Sequence, residues 1–248
     1  MAIYIKNAKE IEQMRAACKV VAETLAYMET KVEPGISTGQ LDKLARDFIL
    51  SKNAIPTFKD YRGYPGNICI SLNDEVIHGI PGIRRLKDGD IVSIDIGATF
   101  DGFIGDAART FLCGNVSEDA QKLVRVTRES FFEGIKLAKA GLHLYQISAA
   151  VQKHCEDNGM SVVREFVGHG VGKKLHEEPE IPNYKMPSRG PKLVAGMTLA
   201  IEPMVNLGTS EVVVLDDEWT VVTKDGKYSS HYENTILITD DEPEILTL

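Results

Sequence analysis

IVSIDIGATFDGFIGDAART, from Ile91 to Thr110, sets two aspartates inside sequence that otherwise reads as paired strands. Ile91, Val92, Ile94 and Ile96 predict a buried strand, and Asp101-Gly102 is the dipeptide of a two-residue type I′ turn. Centring the turn there pairs Asp95 with Ala108 and Asp106 with Gly97. Both aspartates then fall on one face as diagonal neighbours, about 7–8 Å apart at the backbone. That gap suits two carboxylates reaching towards one small object. An ionised carboxylate among β-branched residues is costly to bury uncompensated, and the only basic side chain in the stretch, Arg109, falls by alternation on the opposite face. A metal ion is the leading compensation. For the hairpin alone, a solvated sheet face accounts for the pattern equally well.

Working outward, Asn7 with Glu10 forms a capping-box pattern, and Ile11, Met14, Cys18, Val21, Leu25 and Met28 recur at helical spacing up to about Lys31. Pro34-Gly35 is the expected stop. A second helix runs from about Thr38 to Lys52. Residues 56–82 read as loop, short strand near Ile68 to Leu72, and loop; Phe58, Tyr61 and Tyr64 in Gly/Pro-rich sequence fit a pocket mouth as well as a core. After the hairpin, Ser117 caps a helix stopped at Gly141, and another runs from about Tyr145 to Asn158. His143 and His154 there have no partner at ligand spacing and read as structural. Strands follow in SVVREFVGH, MTLAIEPMV, EVVVLDDEWTVVT and SSHYENTILIT, with residues 183–191 as a loop. Helix, helix, strands thus occurs twice, predicting a single α+β domain over residues 1–248, built of two related halves enclosing a site.

The whole chain bounds the function classes. With 248 residues, 43% hydrophobic and 26% charged, it can bury a sizeable core. Cys18, Cys69, Cys113 and Cys155 are widely spaced without a CxxC pair, which argues against a disulfide scaffold or a cysteine-rich zinc site. No apolar run approaches a membrane span, and MAIYIKNAKEIEQM lacks the apolar core of a signal peptide. A cytoplasmic protein is expected. The net charge of −8 argues against general nucleic-acid affinity.

Three further polar groups stand where strands should be apolar. Glu202 closes the run Thr198, Ala200, Glu202 before Pro203, which lacks a ladder donor. Glu233 lies in HYENTILI, sharing a face with His231 and Thr235 while Tyr232, Ile236 and Ile238 take the other. His169 sits in VGHGVG, whose glycines permit close backbone approach. Four carboxylates and one imidazole suit a pair of divalent ions, whose +4 balances the −4 of Asp95, Asp106, Glu202 and Glu233. Such pairs sit about 3.5–4 Å apart and activate a water. Two other motifs fail: GHGVGKK has Val167 where a phosphate loop needs glycine, and HEEPE has Glu180 where H-E-x-x-H needs histidine.

Asp95, Asp106, GHGVGKKLHEEP with His169 and His176, AIEPM with Glu202, and HYENT with Glu233 together resemble the type I methionine aminopeptidases from the first helix to the last strand. The resemblance implies the pita-bread fold, a pseudo-symmetric antiparallel β-sheet backed by two pairs of helices. It also implies removal of the initiator methionine from nascent chains with a small second residue. By matching position, Asp95 would chelate one divalent ion, His169 and Glu202 the other, and Asp106 and Glu233 would bridge them. The ions would be cobalt, manganese, iron or zinc. Glu202 would act as general base for the bridging water, His176 would bond the scissile carbonyl, and His78 would contact the substrate amide. The methionine pocket would comprise Phe58, Tyr61, Tyr64, Cys69, Leu175 and Trp219. Here Phe58 and Leu175 stand where many bacterial members have cysteine and phenylalanine, so the pocket is reshaped. The same resemblance implies a monomer acting on peptide N-termini, with transient ribosome contact and no specific nucleic acid or membrane partner. Two alternatives stay open. X-Pro aminopeptidases and prolidases share the fold and metals but typically carry an extra N-terminal domain that this length leaves no room for. Metal-free binding relatives lose ligands, whereas all five are present here.

Overall fold

The computed structural model describes residues 2–248, which contain four α-helices, each pair followed by antiparallel strands. α1 (Ala8–Glu29) begins with the expected capping box, in which Asn7 and Glu10 satisfy each other's backbone N–H groups. It stops short of Pro34-Gly35, because the Thr30 N–H turns back onto the Tyr27 and Met28 carbonyls. α2 (Thr38–Ser51) repeats the capping box with Ser37 and Gln40. α3 (Glu118–Ile135) starts at Ser117 as expected but ends six residues before Gly141; single tight turns at Leu137 and Ala138 carry the chain on. Gly141, at φ +92°, instead makes the turn into α4 (Leu144–Asp157).

The hairpin takes the predicted register without a bulge: Asp95 opposes Ala108 and Gly97 opposes Asp106. Its turn residues Asp101 and Gly102 both have positive φ, 48° and 77°, as a type I′ turn requires. Strand Ile91–Phe100 is central, with Phe103–Leu112 on one edge and both Ile55–Pro56 and Cys69–Leu72 on the other. Val92, Ile94 and Ile96 pack with Val21 and Leu25 of α1 and Leu41 and Ile49 of α2. Gly105 lets α1 lie directly on the hairpin, since a Cβ there would come within 2.7 Å of the Cys18 Cα.

In the second half, five strands run in the order Glu244–Ile245, Asn234–Leu237, Thr198–Ile201, Gly168–Gly170, Glu177–Ile181. Phe131 of α3 and Ile147 and Val151 of α4 form one apolar cluster with this sheet. Tyr232, Ile236 and Ile238 lie in that cluster, as the alternation predicts. One expectation here needs correction. EVVVLDDEWTVVT is a hairpin, Val212–Val214 against Val221–Thr223, because the Asp217 carboxylate accepts from the Trp219 and Thr220 N–H groups and turns the chain. The rejected HEEPE stretch runs into strand Glu177–Ile181, where Glu178 and Glu180 are exposed, Glu177 pairs with Lys6, and Pro179 and Ile181 are buried.

The halves join along a seam. The Glu233 N–H donates to the Ala108 carbonyl at 2.9 Å, and the Ala108 N–H returns to Glu233 at 3.4 Å. On either side a threonine hydroxyl replaces backbone pairing. Thr235 Oγ1 accepts from the Asp106 N–H at 3.3 Å and donates to its carbonyl at 2.8 Å, while Thr110 Oγ1 does the same for His231 at 3.0 and 2.9 Å. This antiparallel register sets Asp106 beside Glu233.

Candidate active site

The seam, two broken strands and one glycine-flanked strand bring the five candidate ligands together. Glu202 and Glu233 lie between strands rather than in them: Glu202 with Pro203 separates Thr198–Ile201 from Met204–Asn206, and Glu233 separates Ser229–His231 from Asn234–Leu237. These breaks free their backbones for other partners, Asn183 Nδ2 on the Glu202 carbonyl at 3.0 Å and Arg109 on the Glu233 carbonyl. Strand Gly168–Gly170 is pressed between neighbours. A Cβ at Gly168 would lie 2.4 Å from the Ala200 carbonyl oxygen, and one at Gly170 2.2 Å from that of Glu178. Only glycines at these two positions allow His169 to sit opposite Ala200 within the sheet.

His169 Nδ1 lies 2.9 Å from the Gly170 carbonyl. A carbonyl only accepts, so Nδ1 carries the proton and Nε2 presents a lone pair. That Nε2 lies 3.7 Å from Asp106 Oδ2 and 3.6 Å from Glu202 Oε1. Ligand atoms of Asp106, His169 and Glu233 all fall within 4.8 Å of one another. Asp95 Oδ1 and Asp106 Oδ1 are buried without any hydrogen-bond partner.

Electrostatics gives this arrangement its meaning. Burial pushes Asp95 up to about 7, and burial followed by mutual repulsion pushes Asp106, Glu202 and Glu233 well above the carboxylate range. The Arg109 charge lowers Glu233 against that repulsion, but its guanidinium hydrogen-bonds to the Ala108, Glu233 and Thr247 carbonyls and to Asn234 Oδ1 rather than to any of the four carboxylates. Burial holds His169 down at about 3, so the imidazole is neutral, as a ligand must be. The donor set and its orphaned oxygens fit divalent cations, which would let all four carboxylates ionise together.

All remaining predicted site residues line one cavity of about 280 Å³ with the five candidate ligands: Phe58, Tyr61, Tyr64, Cys69, His78, Leu175, His176 and Trp219. Phe58 lies against the hairpin, its Cε1 only 2.5 Å from where a Gly97 Cβ would stand. Tyr64 packs edge-on to Trp219, centroids 5.1 Å apart, and donates to the Gly79 carbonyl at 2.9 Å. His78 stands edge-on to Phe166 and Trp219, at a left-handed φ of 60°, and burial lowers its pKa to about 4. His176 lies at the exposed rim over His169, centroids 4.3 Å apart.

His231 is buried beside Glu202, but its Nε2 is 3.7 Å from Glu202 Oε2, too long for a hydrogen bond, and has no other partner. His143 caps α4, its backbone N–H donating to Gln146 Oε1 and its Nδ1 lying 3.1 Å from the Gly190 carbonyl, and His154 faces Glu129 across the α3–α4 pair, so both lie outside the site. Sequence reasoning missed Phe166 and Arg62 in the cavity wall and the bracing role of Arg109. Only the position of Phe166 beside VGHGVG hinted at the first; the others depend on tertiary contacts.

Fold and donor set together define a metal-dependent hydrolase. Residues 12–240 match the metallopeptidase family M24. Among curated proteins the chain is 57% identical, over 99% of both chains, to the methionine aminopeptidase of Clostridium perfringens. Solved methionine aminopeptidase structures from Rickettsia prowazekii and Thermotoga maritima superpose with TM-scores of 0.98 and 0.97. Their identities are 40% and 46%, covering 100% and 99% of each chain. The chain belongs to the metallopeptidase family M24 and, within it, to the type I methionine aminopeptidases, with the pita-bread fold.

Proposed function

We propose that this chain hydrolyses the first peptide bond of peptides and nascent proteins that begin with methionine followed by a small residue. The convergence of Asp95, Asp106, His169, Glu202 and Glu233 beside an apolar cavity carries this reading. Asp95 is suited to hold one divalent ion, His169 and Glu202 a second, with Asp106 and Glu233 shared between them. When bound, such ions supply Lewis acidity and a water acidic enough to react at neutral pH. Cobalt, manganese, iron(II) and zinc all suit a carboxylate-dominated set.

The cavity walls would take the methionine side chain. Phe58, Tyr64, Cys69, Leu175 and Trp219 share one apolar cluster, and a flexible thioether adapts to the shape that Phe58 and Leu175 impose. A second groove, lined by Tyr4, Arg62, Lys174 and Glu177, shares His169 and His176 with the cavity and gives the rest of the peptide a path outward. Glu202 would accept the proton of the attacking water and pass it to the departing amine. His176 would donate to the scissile carbonyl oxygen as negative charge develops there, while His78 would steady the amide on the leaving side.

No helix among the described residues is long and apolar enough to cross a membrane. On this reading the enzyme is a cytoplasmic monomer, a single domain over residues 1–248, that meets nascent chains transiently at the ribosome. Wild type should release methionine from Met-Ala-Ser far faster than it cleaves Xaa-Pro peptides. Glu202→Gln should lower kcat by about 100-fold or more, the usual scale of general acid–base catalysis. Preference for Xaa-Pro peptides would overturn the substrate, and an undiminished Glu202→Gln rate would overturn the base.

A further inference from the structure

We propose that Tyr61, beyond forming pocket wall, is a positioning residue whose hydroxyl donates to His176 Nδ1 and so fixes the His176 proton on Nε2. This rests on the role given to His176 above and adds the means by which its tautomer is chosen. The Tyr61 hydroxyl lies 2.7 Å from His176 Nδ1, with ring centroids 5.5 Å apart. A neutral imidazole has one N–H, so whichever nitrogen accepts a hydrogen bond leaves the other protonated. With Tyr61 donating, Nδ1 accepts, and Nε2 keeps its N–H for a developing oxyanion. The opposite tautomer would aim a lone pair at that oxygen and repel it. No other hydrogen bond to His176 is present among the described residues, so this contact alone sets its tautomer from the protein side.

The backbone around Tyr61 is built to hold it. Asp60, Arg62 and Gly63 all have left-handed φ, at 63°, 51° and 92°. Two non-glycine residues in that region within three positions mark a segment constrained by its surroundings. Four short-range hydrogen bonds close the segment: Tyr61 N–H to Phe58, Tyr64 N–H to Tyr61, Asp60 N–H to Tyr64 and Gly63 N–H to Asp60. The Arg62 guanidinium sits 5.4 Å from the Tyr61 ring centre, a cation–π contact that helps hold the ring in place. Below His176, the His169 ring limits the tilt available to it.

Tyr61→Phe keeps the apolar wall and removes only the hydroxyl, so steady-state kinetics on Met-Ala-Ser separates the two roles. KM should hold within about twofold while kcat falls at least about tenfold, a fraction of the 10²–10³ lost with a whole oxyanion donor. In a His176→Ala background the same substitution should change kcat no further, because both act through one hydrogen bond. Nitrogen-15 NMR of the zinc-loaded protein, with the His176 signals assigned by their loss in His176→Ala, should show an Nε2–H tautomer. In Tyr61→Phe it should show a mixture. Unchanged kcat in Tyr61→Phe, an independent loss in the double variant, or an Nδ1–H tautomer in wild type would each overturn the proposal. A silent His176→Ala would overturn it together with the His176 role above, which distinguishes the two failures.

Discussion

At the residue scale, the site is a cluster of buried acids that repel one another. Asp95 and Asp106 each keep a buried oxygen without a partner, and burial lifts all four carboxylates, Asp95 to about 7. Ligation requires the ionised forms, so loading the metal-free protein with manganese or zinc near pH 6 should release protons. Calorimetry in buffers of different ionisation enthalpy counts them; a count of zero would contradict the electrostatic account. The two aspartates were legible in the sequence because a type I′ turn fixes register to the residue. The bracing of Glu233 by Arg109 was not. Strand alternation puts Arg109 on the far face but cannot say which carbonyls meet it there.

At the element scale, Asp106 is positioned through a neighbour. Thr235 Oγ1 satisfies both the N–H and the carbonyl of Asp106, so Thr235→Val, at a fully buried position, leaves two backbone groups unpaired. Thermal unfolding should show a loss of about 1–3 kcal/mol, the usual cost of an orphaned buried polar group, and metal affinity should fall with it. Unchanged stability would mean that the seam does not depend on this hydroxyl. A second element-scale contact concerns α1. Gly105→Ala would bring a methyl against the Cys18 backbone, and overpacking of this kind costs about 1–3 kcal/mol, again read by thermal unfolding. The strand patterns around Glu202 and Glu233 were legible, but the breaks at both residues were only half legible. Pro203 announces one, whereas nothing local in HYENT announces the other, which arises from pairing across the halves.

At the scale of the whole molecule, two halves of similar order are joined strand to strand along the seam, and the site occupies their junction. Repetition of helix, helix, strands was legible because caps and periodicity are local; the seam, which brings the candidate ligands of the two halves together, is long-range and was not. The same junction makes stability respond to pH through the acids it buries. A raised folded-state pKa stabilises below the unfolded value, so the Asp95 contribution in metal-free protein is present below about 4 and lost as pH rises through about 7. Metal-free protein should therefore unfold at lower temperature as pH climbs across that window, and metal should remove the trend. Glu10 has the opposite sign. Hydrogen bonds from Tyr4 and Lys173 hold it down at about 2, so its contribution is present above 4.5 and lost as pH falls through 2; Glu10→Gln should flatten the acid limb of a melting-temperature profile. The central claim is that five residues from both halves make one dimetal centre that removes N-terminal methionine. The most direct test counts bound metal by mass spectrometry while following methionine release from Met-Ala-Ser, in wild type and in Asp106→Asn, at controlled manganese, iron, cobalt and zinc. Two ions per active wild-type chain, with both occupancy and rate reduced in Asp106→Asn, is the predicted result. An Asp106→Asn protein that releases methionine undiminished, or a fully active wild type that never binds a second ion, would contradict it.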